Sequence, residues 1–404
     1  MLVQILQKAR QALSNLKKRA MVLFKHKLEA SIMIGDKQAQ RAGDNSQLMQ
    51  AGTINIYNGI DEKRAREICA ETYAVARRDF TADAYACANE RVQKFEDSLL
   101  PKMRQIEGAL SAFADPSFQF LLTSAQRTAA ATERDADYDM LSELLLCRIT
   151  KGQARKSRAG ISRAVEIIDK IDDDALCALT VVHAVNKVMP LSGTCKSGLK
   201  VLANLFEKLI YMELPLGTDW IDHLDILDAV RINSVGSFKK IADYYPERLS
   251  GYSSAGIHID SEDYKTAVNL LTKANLNTSV LRPNELLDGY VRLPVVEKAA
   301  IKSLTMTRNI IVNGQVLSQS SPINEKEIST LEEIWDLYSK DEESKRLAVL
   351  LFMKEWDSYP SLKNLRVWWD NLSLAFDITH VGTVLAHTNA RRCDNTIPEL
   401  PLVT

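Results

Sequence analysis

The chain contains no pair of cysteines close enough in sequence to suggest a shared metal or redox site. Its six cysteines are scattered, mostly within apolar helical patterns, and none forms a Cys-x-x-Cys pair. This spacing gives no support to a zinc site or to a thioredoxin-like motif. We therefore interpret the cysteines as reduced thiols of a cytoplasmic protein, and we expect no bound metal.

Long apolar runs and a large charge imbalance are missing as well. The longest apolar candidate, Ala175 to Val185, contains His183 and is far shorter than the roughly 18–20 residues of a membrane-spanning helix. We predict a buried core helix there. The net charge of −1 gives the whole molecule no general attraction to nucleic acid or membranes, so either role would need a local patch.

A phosphate-binding loop is also missing. The segment "SGTCKSGLKVL" resembles one around Lys196, but the pattern G-x-x-x-x-G-K-S requires glycine at the positions of Pro190 and Cys195. Without both glycines the backbone cannot wrap phosphates in that way, so we expect a loop between two helices. Enzymatic activity stays uncertain, although the sequence favours a protein without it, and we expect no cofactor.

Histidine and aspartate occur together without forming a convincing metal site. One short segment combines Asp219, Asp222, His223 and Asp225. His258 could complete such a site, but nothing in the sequence fixes this second half, so a surface helix turn is the favoured interpretation. His380 and His387 share a helical face, and we expect packing roles for both.

The N-terminus lacks acid, because the first acidic residue is Glu29 and several lysines and arginines precede it. Apolar residues recur there at spacings of four and three: Leu2, Leu6, Ala9, Leu13, Leu16, Ala20 and Leu23. This heptad pattern predicts that residues 1–34 form a basic amphipathic helix that self-associates as a coiled coil. Two alternatives stay open: a helix that lies on an anionic membrane, and a helix that packs on its own domain.

Glycine-led units follow the N-terminal segment. Gly35, Gly43 and Gly52 open three of them, and the third, "GTINIYNG", alternates apolar and polar residues as a β-strand does. Three such strands cannot bury a core alone, but Gln and Asn side chains can pair with their own copies around a symmetry axis. We predict that residues 35–60 form a short β oligomerisation element whose apolar contacts are Leu48, Ile54 and Ile56. A local hairpin or a polar linker is the alternative.

Several segments resemble an uncharacterised bacterial family found among mobile-element and defence-associated genes. They are "AGDNSQLMQAGTINI", "DEKRAREICAETYAVARRDF", "DPSFQFLLTSAQRTAAATERDADYDMLSELLLCRI" and "DITHVGTVLAHTNARR". The first carries a Gly-Asp-Asn strand motif, and the last matches a Thr-x-x-Gly-x-x-Leu-x-x-x-Asn-x-x-Arg pattern. The resemblance implies a helical intracellular protein that serves in conflict or antiphage defence, and it transfers no catalytic residue.

A long helix is predicted for residues 61–106. One apolar face runs through Phe80 and Ala84 and continues through Val92 and Phe95. This spacing is typical of an amphipathic helix that packs along one side.

The rest of the chain is predicted to be mostly helical. We divide it into a helical domain, 107–250, and a mixed, mostly helical C-terminal domain, 251–404. In the second domain Asn313-Gly314 lies between aliphatic residues, which predicts a β-hairpin. The expected fold class is therefore mainly α: a multi-helical body with a small N-terminal β insert and a minor C-terminal β-hairpin.

One basic cluster has no intervening acidic residue and consists of Arg148, Lys151, Arg155, Lys156, Arg158 and Arg163. Together with Arg391 and Arg392 it could contact the phosphates of nucleic acid. No alternating aromatic residue accompanies the cluster for base stacking, and a solvated loop is the alternative interpretation.

These patterns favour an oligomeric cytoplasmic sensor or scaffold protein in bacterial defence, assembled through its N-terminal region. Its expected partners are other copies of itself and a phage or host protein. One alternative is a membrane-active effector that binds a membrane surface through the basic N-terminal helix. Another is a nucleic-acid-binding protein that uses the patch at residues 148–163.

Overall fold

The computed structural model describes residues 62–107, 109–151, 154–312 and 315–399, with side chains of the first helix described from Ala82 onward. The chain divides into two units, Met1–Tyr73 and Ala74–Thr404, and the second contains the packed core. The predicted coiled-coil helix at residues 1–34 and the β element at residues 35–60 lie outside the described residues. Both therefore stay predictions.

Helices dominate the described chain, which confirms the mainly α fold class. In chain order they are α1 (Glu62–Gln105), α2 (Pro116–Ala131), α3 (Asp135–Lys151), α4 (Arg155–Ile167), α5 (Asp173–Lys187), α6 (Cys195–Leu209), α7 (Asp219–Ile226), α8 (Ile241–Arg248), α9 (Ser250–Ser253), α10 (Glu262–Lys273), α11 (Glu325–Asp336), α12 (Glu342–Asp357), α13 (Pro360–Asp370) and α14 (His380–Cys393). Short 3-10 helices lie at Ala109–Ala114, Thr278–Val280 and Lys298–Ser303. Within the described ranges, no helix is both long and apolar enough to cross a membrane.

Small antiparallel sheets accompany the helices. Their strands are β1 (Val230–Asn233), β2 (Ile257–His258), β3 (Arg282–Pro283), β4 (Tyr290–Arg292), β5 (Thr305–Val312), β6 (Gln315–Pro322) and β7 (Ala375–Ile378). β1 pairs with β7, and β4 lies between β2 and β3. β5 and β6 form the predicted hairpin on either side of Asn313-Gly314, in unbroken register from Thr305 opposite Pro322 to Val312 opposite Gln315.

Local capping explains where several helices begin. The Asn324 side chain accepts a hydrogen bond from the Glu327 backbone N–H at 3.0 Å, and the Glu327 carboxylate accepts one from the Asn324 N–H at 2.8 Å. This reciprocal capping box starts α11. At α2 the Asp115 carboxylate accepts from the Ser117 N–H at 2.9 Å, and Pro116 occupies the first helical position. The positions at which α2 and α11 begin therefore depend only on residues that are neighbours in sequence.

Helix α5 lies at the centre of the main apolar core. Every residue from Ala175 to Val185 is buried, as the sequence predicted. The core takes in residues from the second half of α1, beginning at Phe95, through α14. Burial on all sides of α5 means that the surrounding helices must each present an apolar face to it.

Helix α14 approaches β1 so closely that only glycine fits at the contact. A Cβ atom on Gly382 would lie 2.0 Å from the carbonyl oxygen of Ala229. Thr379 fixes the start of α14, because its hydroxyl accepts from the Gly382 N–H at 3.1 Å and donates to the Asp228 carbonyl at 2.6 Å. The turn from β7 into α14 is thus anchored to the end of α7 and the start of β1.

A second apolar cluster lies within residues 257–338, which we call the inserted lobe, and Val296 is the lobe residue that is buried in the main core instead. The inserted lobe contains β2 to β6, α10 and α11. The Ser339 N–H donates to the Gly256 carbonyl at 2.8 Å, so the two connections to the rest of the chain lie side by side. After Ser339 the helices α12 to α14 return to the main core, which we call the helical body. The lobe is therefore an insertion between α9 and α12.

Replacing Gly382 by alanine should lower the free energy of unfolding by about 1–3 kcal/mol, because the new methyl group would meet a main-chain carbonyl. Gly160→Ala is the matched control, since Gly160 is also helical but its Cβ would meet the side chain of His380, which can change rotamer. The gain in helix propensity is similar for both. Urea denaturation measures the free energy of unfolding of the two variants. Equal values for Gly382→Ala and Gly160→Ala would contradict the close contact.

Candidate functional site

The predicted nucleic-acid patch falls around the connection between α3 and α4. Arg148 donates to the Ser117 hydroxyl at 2.9 Å and lies 3.6 Å from the Asp115 carboxylate at the start of α2. Arg163 lies 3.1 Å from the Asp228 carboxylate. Both side chains therefore bind neighbouring parts of the same chain. Lys151 ends α3, and its side chain is outside the described part.

The first turn of α4 brings the remaining members together. Arg155 and Lys156 are exposed and Arg158 is half-buried. Ala154 precedes the helix and has no side-chain acceptor for the N–H groups of the first turn, which also contains no acidic residue. The free N–H groups and the three cationic side chains give this end of α4 a positive potential.

His380, the first residue of α14, packs beside this helix end. A Cβ atom on Gly160 of α4 would lie 2.3 Å from its Cδ2 atom, so the glycine makes room for the ring. Burial, with a smaller effect of the Lys156 charge, lowers the pKa of His380. Its Nε2 atom has no hydrogen-bond partner among the described residues. We call Arg155, Lys156 and Arg158 the α4 cation cluster, and the His380 ring lies beside it.

The α4 cation cluster can bind an anion of the phosphate class. Arginine forms two parallel hydrogen bonds with a phosphate, and helix N-termini bind the same group through backbone N–H donors. Arg391 and Arg392 do not belong to it, because they lie at the opposite end of α14. Arg391 is 3.7 Å from the Glu399 carboxylate, and Arg392 donates to the Asn389 side chain at 2.9 Å.

A polar network crosses the buried contact between α5 and α14. Asn389 is fully buried, and its amide donates to the Thr180 hydroxyl at 2.9 Å and to the Tyr211 hydroxyl at 3.3 Å. The Arg392 guanidinium lies 5.3 Å from the centre of the Tyr211 ring. Burial raises the pKa of Tyr211 to about 12, so it is a neutral donor or acceptor. This network fixes the position of α14 along α5.

The C-terminal pattern that carries the family resemblance has a structural role at each position. Thr379 caps α14, Gly382 permits the close approach to β1, and Leu385 is fully buried. Asn389 and Arg392 join the network with Tyr211. In this chain the pattern therefore encodes the placement of α14.

A histidine pair lies in the same contact. His183 Nε2 and His387 Nδ1 are 3.3 Å apart, and His387 Nε2 is 3.0 Å from the Pro398 carbonyl oxygen. Because a carbonyl only accepts, we assign the His387 proton to Nε2, and His183 then donates to Nδ1. Burial, followed by the neighbouring His387, lowers the pKa of His183 to about 3. The expected packing role of His387 agrees with its burial.

The segment with aspartates and histidine does not meet His258. The His223 ring accepts a hydrogen bond from the Asp172 backbone N–H at 3.2 Å, and Asp225 lies 3.7 Å from Arg231. His258 lies in the inserted lobe, with its ring 4.9 Å from that of Tyr290. Across the described ranges, no group of three or more His, Cys, Asp or Glu side chains is arranged to hold a metal ion.

Only the first three residues of the segment that resembles a phosphate loop, Ser192 to Thr194, lie in the expected connection between helices, and the rest forms the start of α6. Burial raises the pKa of the Cys195 thiol, at the first position of α6, to about 12. The Lys196 backbone N–H in the first turn donates to the Glu285 carboxylate at 2.9 Å. A carboxylate from the inserted lobe thus occupies the helix end at which a phosphate loop would bind its ligand.

Sequence reasoning missed Tyr211, Thr180 and Glu285. For Tyr211 and Thr180 the only sequence signal is a polar residue in or beside an apolar helix. Glu285 lies in a loop and belongs to no motif. Their partners lie far away along the chain, so no local pattern connects them.

Comparison with known protein families gives a match that spans most of the chain. A protein-family model whose description reads ":-like" matches residues 59–400, and the chain belongs to that family. The match includes α1, the helical body and the inserted lobe, and it leaves out residues 1–58. No curated protein and no solved structure matches the chain significantly.

Acid should destabilise the fold through His183. Its pKa is about 3 in the folded state and 6.5 in the unfolded chain. The unfolded chain therefore binds a proton that the folded chain does not bind between these values. The stability contributed by the neutral ring is complete above pH 6.5 and is lost as the pH falls from 6.5 toward 3.

His183→Gln should reduce this pH dependence, because glutamine can donate to His387 without titrating. Urea denaturation at several pH values between 7 and 3.5 measures how the free energy of unfolding changes with pH, and His258→Gln is the control. If both variants keep the pH slope of the parent protein, the buried pair is not the source of the acid sensitivity.

Proposed function

We propose that the chain is a homo-oligomeric scaffold or sensor protein that assembles through residues 1–60 and the part of α1 that precedes Phe95. The observation that supports this most strongly is the exposure of α1 before Phe95. Residues 82–94 are exposed or half-buried on every side of the helix, whereas Phe95 is fully buried.

In this region no described residue buries the apolar face predicted for α1. Ala84 belongs to that face and is exposed, and Tyr85 beside it keeps 63% of its surface exposed. Cys87 is exposed as well. An isolated helix is only marginally stable in water, so a long helix of this kind usually requires a packing partner.

A second copy of the chain is the partner that the sequence favours. The heptad pattern of residues 1–34 is typical of helices that associate with their own copies, and residues 35–60 have too few apolar side chains to fold alone. Assembly through both segments and α1 would join several helical bodies. This proposal assigns no catalytic residue and no cofactor.

The biological setting follows from the resemblance to defence-associated proteins. We place the assembly in the bacterial cytoplasm, where a phage or host protein would be the trigger. The helical body and the inserted lobe would then receive the signal, and the N-terminal region would hold the copies together.

The α4 cation cluster favours a second candidate, binding of a nucleic acid through its phosphates. Arg155 and Lys156 are exposed, and no carboxylate of the described chain lies within ion-pair distance of either. Contacts with phosphates would be independent of sequence and sensitive to salt. The proposed assembly would strengthen such weak contacts by presenting several clusters together.

Light scattering after size-exclusion chromatography should show the full-length protein as a multimer, and removal of residues 1–60 should lower its mass. Tyr85→Glu should raise the dissociation constant about ten-fold or more, because a charge replaces a side chain that the assembly buries. Phe120→Glu on α2 is the control, since Phe120 is 79% exposed and lies outside the proposed contact. A monomeric full-length protein would exclude the proposal, and binding to anionic vesicles instead would favour the membrane-active alternative.

Fluorescence anisotropy with single-stranded DNA and RNA tests the second candidate. Arg155→Glu with Lys156→Glu should weaken binding and lower the salt slope by about 1 for each phosphate that the variant no longer neutralises. Lys265→Glu with Lys345→Glu changes the net charge equally, on helices α10 and α12. If both double variants bind alike, the cation cluster is not a specific site.

A further inference from the structure

The inserted lobe is joined to the helical body by a narrow pair of connections. The chain enters it after Gly256 and leaves it at Ser339, and these two residues share a backbone hydrogen bond of 2.8 Å. Gly256 has φ +91°, and a Cβ atom there would lie 2.2 Å from the Val291 carbonyl oxygen. A turn of this geometry requires glycine. We call the Gly256–Ser339 pair the hinge.

Away from the hinge, the lobe contacts the body through apolar side chains, because Val296 is buried in the main core and Leu286 packs against it, and through a carboxylate at a helix end. Glu285 belongs to the lobe and accepts the Lys196 N–H of α6 at 2.9 Å. Thr194 at the start of α6 makes no side-chain capping bond, so Glu285 provides this function from 89 residues away. A carboxylate at this position is stabilised by the positive end of the helix.

A buried arginine lies near the same oxygen of this carboxylate. Arg292 of β4 is only 2% exposed, and its Nη2 atom is 3.9 Å from Glu285 Oε2. Its Nη1 atom donates to the Gly251 carbonyl of the body, and its guanidinium lies 5.6 Å from the centre of the Tyr252 ring. Glu285 therefore lies near two positive groups, one from each side of the interface.

This arrangement costs free energy that an apolar contact would not cost. Burying charges requires desolvation, and apolar side chains of similar size dock equally well or better. Charged groups instead restrict docking to one geometry, which the apolar contact at Val296 does not do alone. Two further polar contacts, Gly251 N–H to the Val296 carbonyl at 2.8 Å and Tyr290 to Ser344 at 3.1 Å, lie close to the hinge along the chain.

We propose that Glu285, the N-terminus of α6 and Arg292 form a latch that holds the inserted lobe closed on the helical body. When Glu285 leaves α6, the lobe opens about the Gly256–Ser339 hinge as an intact unit. Its own apolar cluster keeps it folded, because residues such as Leu271, Leu293 and Ile334 are fully buried among lobe residues. This device is independent of how copies of the chain assemble.

Hydrogen exchange measured by mass spectrometry on the full-length protein tests the latch. In Glu285→Gln, exchange should accelerate about ten-fold or more at the first turn of α6 and at β4, because a neutral amide replaces a charge-assisted contact. Protection in α5 and α14 of the body, and in α10 and α11 of the lobe, should stay unchanged. Glu285→Asp, which keeps the charge, should give intermediate rates at α6 and β4.

Glu262→Gln is the matched control, since Glu262 is an exposed lobe carboxylate paired with Lys265 at 2.7 Å. The Glu262→Gln variant should show the same exchange rates as the parent protein. Loss of protection throughout the lobe in Glu285→Gln would show unfolding in place of hinged opening and would overturn the proposal. Unchanged exchange at α6 and β4 would overturn it as well.

Discussion

The buried contact between α5 and α14 is the constraint on which the rest of the fold depends. Helix α5 is buried on all sides between Ala175 and Val185, so the surrounding helices must take their places around it. Polar groups in the contact, such as Asn389 with Thr180, allow one register, because any shift would leave them unpaired in an apolar interior. The close approach at Gly382 restricts the position of α14 further.

The position of α14 also determines which groups lie next to each other on the surface. Its first residue, His380, lies against α4 next to Lys156, so the start of α14 lies beside the cation cluster. Core residues from Phe95 onward hold α1 on the helical body, whereas residues 82–94 are exposed or half-buried. In the described part of the chain, the surface thus includes this stretch of α1, a positive helix end and an inserted lobe. These features suit a protein that assembles and binds partners.

Local sequence patterns predicted helices and a hairpin. They could not predict contacts between residues that are far apart in sequence. The buried helix at Ala175–Val185 and the hairpin at Asn313-Gly314 depend on residues close in sequence. The internal pair of Arg163 with Asp228 could not be predicted, because a run of basic residues looks the same when its members are free. Likewise, Glu285 meets Lys196 across 89 residues, and only the folded chain brings them together.

Assembly through α1 is the central claim, and the exposed Cys87 gives direct access to it. A spin label on Cys87, with Cys69 and the half-buried Cys147 and Cys393 replaced by serine, reports distances between copies of the full-length protein by double electron–electron resonance. Paired helices have axes about 10 Å apart, so the account predicts a narrow distribution of label distances below about 30 Å. A signal without any defined distance between copies, at concentrations where the protein is folded, would contradict it.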